Sequence, residues 1–477
     1  MKLSHYLRLF IVTWLVSPHG LADTPLAYTD LHKKAAEEVA GKLWQWSELG
    51  YLEQRSSSLM QDTLRDAGFN VRAGVANIDT AFVAEYGAGK PVIALLAEMD
   101  ALPGASQQAL PEEASRNTDA GHACGHNLFG GGVIGAALAV QEWMQANRVT
   151  GTLRVFGTPA EEGGSGKVYL VREGLFEDVD VALHWHPGDS NQSLAATSLA
   201  NKSAKFKFEG IASHASAAPE RGRSALDGVE AMNFMVNLMR EHVPSSTRIH
   251  YVITQGGDVP NIVPKNAEVY YYVRAPSAEE LAPIWSRLED AAKAGALGTG
   301  TQVSWEVMHG NHSLLPNKTL ARRMHEHLNT AGGVQYSADE TKFAETLQGN
   351  FNGKAKPINS AASVVPWRNE VASMGGSTDV GDVSWVVPTH GISTATWVPG
   401  TPAHSWAAVA ASGMSIGRKG MHVAAEVLAA TTQDLLTDSE LRASIKAEFD
   451  ERRGSDFKYR ALLGDRLPPL DYRVKPQ

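Results

Sequence analysis

Cys124 sits two residues after His122 and two before His126, in the stretch Gly-His-Ala-Cys-Gly-His-Asn over residues 121–127. It is the only cysteine in 477 residues, so it forms no disulfide within the chain. That leaves a buried apolar thiol, a nucleophile or a metal ligand. Gly121 and Gly125 let the backbone turn sharply between these side chains. A thiolate and an imidazole suit zinc and other borderline divalent cations. The spacing alone is weak, because a lone Cys-x-His is more often a packed thiol beside a surface histidine.

Two further clusters add weight. Glu161 and Glu162 are adjacent carboxylates between Pro159 and Gly163-Gly164. Such neighbours point differently, so one can hold a metal while the other handles a proton, as amide hydrolysis requires. Two solvated surface glutamates are the ordinary outcome, but this pair follows an apolar strand. His184 and His186 stand at the end of another strand, and alternate residues share a face. One ligand and one packed ring is the more frequent outcome for such a pair. Asp100 closes a third strand, and His404 lies in Gly-Thr-Pro-Ala-His-Ser-Trp over residues 400–406. His214, Asn261 and Arg274 occupy a middle segment, where Arg274 can grip a carboxylate with both arms or simply face solvent on an edge strand. Seventeen histidines mean that some are incidental, His242, His312 and His325 among them.

The elements that must carry these groups alternate between strand and helix, which predicts an α/β protein. Residues 31–67 read as helical, and Val92–Ala97 is a continuous apolar run that fits a buried parallel strand. A helix is expected over 128–145, a strand over 153–156, a helix over 167–172 and a strand over 179–183. Asp100, the Glu161-Glu162 pair and the His184/His186 pair each follow an apolar strand, the edge where open α/β sheets bind ligands. From about residue 200 the order becomes strand, helix, strand, strand, helix, strand, which predicts an inserted ferredoxin-like unit over 200–311. The α/β pattern resumes over 312–436 as the second part of the unit begun at 23–199. The charged, finally Pro-rich tail, 437–477, is expected on the surface.

A formal charge of −9 without a basic run argues against nucleic acid. Residues 1–22 have the layout of a secretory signal peptide: Lys2, His5 and Arg8, then the apolar run Leu9–Val16, then Gly20-Leu21-Ala22. The run falls short of the ~20 residues that span a bilayer. The expectation is an exported protein, periplasmic or extracellular, with no membrane anchor after processing. A lone thiol there is oxidisable, and metal coordination would occupy it.

Several of these stretches occur in an order that resembles a known family. They are Asp100-Ala101-Leu102-Pro103, His122-x-Cys124-Gly125-His126-Asn127, Pro159-Ala160-Glu161-Glu162-Gly163-Gly164-Ser165-Gly166 and Gly400-x-x-x-His404. They resemble the two-metal aminoacylase/carboxypeptidase clan, in the branch of hippurate and indole-acetyl-amino-acid hydrolases. Ser106-Gln107-Gln108, Val171-Arg172-Glu173-Gly174, Trp185-His186-Pro187, the Gly222–Asp227 stretch and the Ser377–Trp385 stretch look more like the p-aminobenzoyl-glutamate hydrolase subgroup. The resemblance runs from about residue 30 to 435.

The resemblance implies a catalytic domain with a mixed, mainly parallel sheet and helices on both faces, interrupted by a lid that also dimerises. It implies two divalent cations per subunit, Mn²⁺ or Zn²⁺ with Co²⁺ as a further candidate, on Cys124, His126, Glu162, His186 and His404. His186 is chosen over His184 because the family's histidine falls six residues after an aspartate that matches Asp180. Glu161 would be the general base, and Asp100 would orient the site. His214 would reach the partner subunit's active site and stabilise the oxyanion, while Asn261 and Arg274 would hold the substrate carboxylate. The expected substrate is an N-acyl or N-aroyl amino acid with a free carboxylate, p-aminobenzoyl-glutamate first, and the expected assembly is a homodimer, with a second subunit as an alternative. A dipeptidase, a ligand-binding relative without chemistry and a noncatalytic subunit are the competing readings. Glu98, Asn127 and the leader depart from the wider pattern.

Overall fold

The computed structural model describes residues 24–351 and 355–474. The expected leader lies outside these residues. Six strands form the main sheet: β1 (Asn70–Ala73), β2 (Phe82–Ala88), β3 (Val92–Glu98), β4 (Gly151–Thr158), β5 (Val181–Gly188) and a late strand, Thr389–Ala395. Their spatial order is β1-β2-β4-β3-β5 and then the late strand. β4, β3, β5 and the late strand run parallel, and β2 and β1 add an antiparallel edge. Every residue of β3 is buried, which explains its unbroken apolar sequence: a parallel strand covered on both faces has no polar side.

One face is covered by α1 (Asp30–Trp46), α2 (His126–Asn147) and a long late helix, Ser415–Thr437, around a core that includes Leu43, Phe129, Leu95 and Leu428. The other face carries α3 (Gly166–Arg172), with Phe156, Leu170 and Phe176 in its core. Each fully buried Leu or Phe stabilises the fold by about 1.5–3 kcal/mol relative to its exposed form.

A second sheet joins β6 (Ala200–Glu209), β7 (Arg248–Gln255), β8 (Asn266–Ala275) and β9 (Gln302–Asn311), all antiparallel, in the order β7-β8-β6-β9. With α4 (Ala225–Met239) and α5 (Ala278–Thr299), which contributes Trp285, packed on Phe206, Phe208 and Tyr271 of the sheet, this is a ferredoxin-like sandwich. β8 alternates, so Val269, Tyr271 and Val273 enter that core while Tyr270, Tyr272 and Arg274 take the opposite face.

Two expectations need correction. The helix read over 31–67 is two helices, Asp30–Trp46 and Gln54–Asp66, with Ser47 and Tyr51 in the left-handed region at the break. The break turns Glu53 inward, where its carboxylate accepts from the Ala160 backbone N–H at 2.9 Å. Nor is the segment after 437 only a surface tail. Residues 439–453 form a helix that buries Ile445 and Phe449. The chain then runs back over both sheets: Tyr459 Oη donates to Asp382 Oδ1 at 2.7 Å, Leu463 is buried, and Arg466 pairs with Glu306 of β9 at 2.6 Å. These apolar anchors are few and lie among many charged residues, so the composition hides them. Among the described residues no helix is long and apolar enough to cross a membrane.

Candidate metal centre

The ends of β3, β4 and β5 and the start of α2 meet at one cavity. Cys124 and His126 flank Gly125, whose φ of 76° turns the chain into α2. A side chain there would collide with the Pro187 ring, 2.7 Å from an added Cβ. Glu161 and Glu162 form a tight turn after β4, bracketed by Ala160 and Ser165 at φ 56° and 58°. His404, the third left-handed non-glycine residue here, is at φ 59°, and its backbone N–H donates to the Ala123 carbonyl at 3.0 Å. Such backbone strain costs on the order of 1–3 kcal/mol per residue and tends to cluster at functional sites.

The side chains converge. Cys124 Sγ lies 3.4 Å from His186 Nε2. His404 Nε2 lies 3.2 Å from Glu162 Oε1, and His126 Nε2 lies 3.0 Å from Glu98 Oε2. Three donor triads have their ligand atoms within 4.8 Å of one another: Cys124-His126-His186, Cys124-Glu162-His404 and Glu98-His126-Glu161. Cys124 and His126 each belong to two triads. The two buried histidines spend their outer nitrogens elsewhere. His126 Nδ1 meets Asp100 Oδ1 at 2.9 Å, and His186 Nδ1 meets the Pro187 carbonyl at 2.7 Å. Each thereby turns Nε2 inward, the tautomer that a metal ligand needs. Asp100 also accepts from the Glu162 backbone N–H at 2.9 Å, so one carboxylate orients both His126 and the glutamate turn.

The donor set fits divalent cations. Glu98 Oε2, His126 Nε2 and Glu162 Oε1 are buried and make no hydrogen bond, although each lies close to a polar neighbour. Buried polar atoms are nearly always satisfied, so these three orphans, which fall in neighbouring donor triads, call for partners that the protein itself does not supply. One thiolate, three imidazoles and carboxylates are the ligands that borderline divalent ions take. Burial, then the Glu162 carboxylate beside it, pushes the Glu161 carboxyl well above its ordinary pKa. Burial works against the His126 imidazolium, but Cys124, Glu98 and Asp100 outweigh it and raise its pKa.

The structure brings Cys124, His126, Glu161, Glu162, His186, His404 and Asp100 together. His184 lines the same cavity outside the three triads. Arg274 is partly buried on β8, and its charge reaches the His404 and His309 rings. His214 and Asn261 lie apart from the cavity, exposed and next to each other, where the Ala215 N–H donates to the Asn261 carbonyl at 3.0 Å. Sequence reading missed Lys167 and Asp379. Lys167 Nζ, fully buried, bridges Glu98 Oε1 and Asp379 Oδ1 at 2.7 Å each. A Gly-Lys at the start of a helix gives no sign of such a role.

Residues 94–344 match the peptidase family M20/M25/M40. The chain belongs to this family. It is 39% identical to one of the two subunits of the p-aminobenzoyl-glutamate hydrolase of Escherichia coli (strain K12), over 87% of this chain and 92% of that protein. It is 30% identical to the mouse (Mus musculus) Xaa-Arg dipeptidase, over 87% and 90% of the two chains. Among solved structures it superposes on a Bacillus subtilis dinuclear metal-binding M20 peptidase with a TM-score of 0.54, at 18% identity over 84% and 99% of the chains. The aminobenzoyl-glutamate utilization protein of Klebsiella pneumoniae gives the same TM-score of 0.54, at 18% identity over 81% and 97%. This M20 protein is a metal-dependent amidohydrolase with the α/β architecture of that family.

Proposed function

We propose that this M20 hydrolase cleaves N-aroyl or N-acyl amino acids, with p-aminobenzoyl-glutamate as first substrate, releasing p-aminobenzoate and glutamate. The observation that carries this is the single cavity in which Cys124, His126, Glu162, His186 and His404 present their donor atoms beside Glu161. Those five residues would hold two divalent cations, Mn²⁺ or Zn²⁺ first and Co²⁺ next. When bound, such cations polarise an amide carbonyl and lower the pKa of water, as a slow amide requires. Glu161, held protonation-prone by burial and by Glu162, takes the proton of the attacking water and delivers it to the departing amine. Asp100 keeps His126 and the Glu162 backbone in register for this step. Arg274 holds the substrate carboxylate, and Asn261, exposed beside His214, does so in the site of the partner subunit.

The functional unit is a homodimer in this reading, and the mature protein works outside the cytoplasm after loss of residues 1–22. Edge strand β7 exposes Tyr251, Val252 and Ile253, and α4 exposes Phe234 and Leu238, a surface suited to a second copy. His214 then serves the partner's site, where it stabilises the oxyanion. Mixing His214→Ala with Glu161→Ala subunits tests this: restored turnover supports it, and none after confirmed subunit exchange sinks it. A complex with a second, different subunit is the alternative assembly.

The reaction is tested by loading the purified protein with Mn²⁺, Zn²⁺ or Co²⁺ and following p-aminobenzoate release. An intact panel of acyl-amino acids, with one of them tightly bound, would show a binding protein instead. A dipeptidase is the second reading, favoured by the mouse relative at 30% identity. Faster turnover of Xaa-Arg dipeptides than of p-aminobenzoyl-glutamate would establish it.

A further inference from the structure

A second cavity lies beside the metal centre and shares four walls with it: His184, His186, Leu314 and Met374. The rest of the lining combines apolar Leu194, Leu315, Pro316 and Ile392 with the uncharged polar side chains of Gln192, Ser373, Thr389 and Ser393 and with His390, and it contains no Asp, Glu, Lys or Arg. A charged group entering it would lose its hydration without a counter-charge, at a cost of several kcal/mol.

His184 stands at the junction. It shares a face of β5 with His186, but its ring makes no hydrogen bond among the described residues, while both nitrogens of His186 have close polar neighbours. The ring lies over Gly391 of the neighbouring strand, where an added Cβ would come within 2.5 Å of it. The missing side chain at 391 therefore gives the imidazole its place. Partly buried and without a protein partner among the described residues, the imidazole is free to pair with a polar group that enters the cavity.

We propose that this second cavity is the acyl pocket and that it takes an uncharged aromatic acyl group, whose polar substituent pairs with His184. This rests on the amidohydrolase reading and narrows it. A charged acyl side chain finds no counter-charge in the pocket, so neutral N-aroyl amino acids are preferred to dipeptides with a charged N-terminal side chain.

Ala196 and Ala372 line the pocket away from the metal donors, and Ala196→Trp and Ala372→Trp fill it. Each is expected to lower kcat/KM for p-aminobenzoyl-glutamate about a hundredfold, and that for N-formyl-glutamate less than about twofold. His184→Leu is expected to cut the preference for p-aminobenzoyl- over benzoyl-glutamate about tenfold. Equal losses on the large and small acyl groups, or no loss on the aroyl substrate, would overturn the assignment. Direct binding of p-aminobenzoate to the Mn²⁺-loaded protein separates the two readings. If no substrate turns over, the hydrolase reading falls. The pocket still stands if p-aminobenzoate binds and Ala196→Trp abolishes it, and falls if binding is absent or unchanged.

Discussion

Tyr472 Oη donates a hydrogen bond to the carbonyl oxygen of Glu162 at 3.0 Å, across 310 residues of sequence. Arg473 Nη2 donates to the same oxygen at 2.6 Å, and Tyr51 Oη donates to the Gly164 carbonyl at 2.7 Å. The Glu161–Gly164 turn has non-helical angles at Glu162 and Gly163, so its own backbone leaves these carbonyls unpaired. The far C-terminal segment thus clamps the loop that carries the proposed base and a proposed ligand. Replacing Tyr472 by Phe together with Arg473 by Ala is expected to lower kcat by about 10–100-fold, because misplacement of about 1 Å costs that much. Arg473→Lys should recover part of the loss. Steady-state kinetics beside thermal melting checks this, and unchanged kcat would mean that the clamp does not set the geometry.

Lys167 carries a separate expectation. Its ammonium is fully buried between Glu98 and Asp379, and those two carboxylates are buried as well. Lys167→Met strands two negative charges in the interior, which should destabilise the protein by about 3–5 kcal/mol. Adding Asp379→Asn should recover part of that loss, because one stranded charge is removed. Urea denaturation of the single and double variants measures the coupling, and additive effects would contradict a shared ion cluster.

The donor set predicts a split between two neighbouring functions. Cys124→Ala should lower metal content, since Cys124 belongs to two donor triads. Glu161→Gln should keep the metal and lose activity by about 100–10,000-fold, the range for removing a general acid–base. Elemental analysis beside turnover decides. Normal metal content in Cys124→Ala would remove the thiol from the ligand set.

Acid should weaken the fold below about pH 6.5. Burial pushes His390 down to about 4, and burial followed by the Arg274 charge does the same to His309. An unfolded histidine titrates near 6.5, so between roughly pH 6.5 and 4 the unfolded state binds more protons. Stability from these two groups is fully present above about pH 6.5 and is lost as pH falls through that window, on the order of 3 kcal/mol each. The melting temperature should fall across it, and His390→Gln should flatten the slope. A pH-independent melting temperature from 7 to 4 would refute this.

Chemistry was more legible in the sequence than architecture. Cys124, His126, the Glu161-Glu162 pair and the His184/His186 pair declare themselves because ligand types, glycines and apolar strands sit next to one another in the chain, whereas the choice of His186 came from the family resemblance. The second sheet was legible for a similar reason: β6 and β8 alternate, and a half-buried strand shows its period. Glu98, Lys167 and Asp379 were not, since their meaning is a mutual contact between residues that are 69 and 212 positions apart. The break at Ser47–Glu53 was hidden because a helical period continues through it, and the inward pull on Glu53 comes from Ala160.

By itself the sequence determined which residue types this protein can bring to a metal and which local elements present them, because both depend on neighbours in the chain. Only the tertiary structure decided that Asp100 holds His126 and the Glu162 turn together, that Tyr472 and Arg473 fasten that turn from the other end of the chain, and that His184 faces a second cavity. Those outcomes depend on distance in space, and hydrogen bonds, burial and shared walls arise only once the strands have been laid side by side.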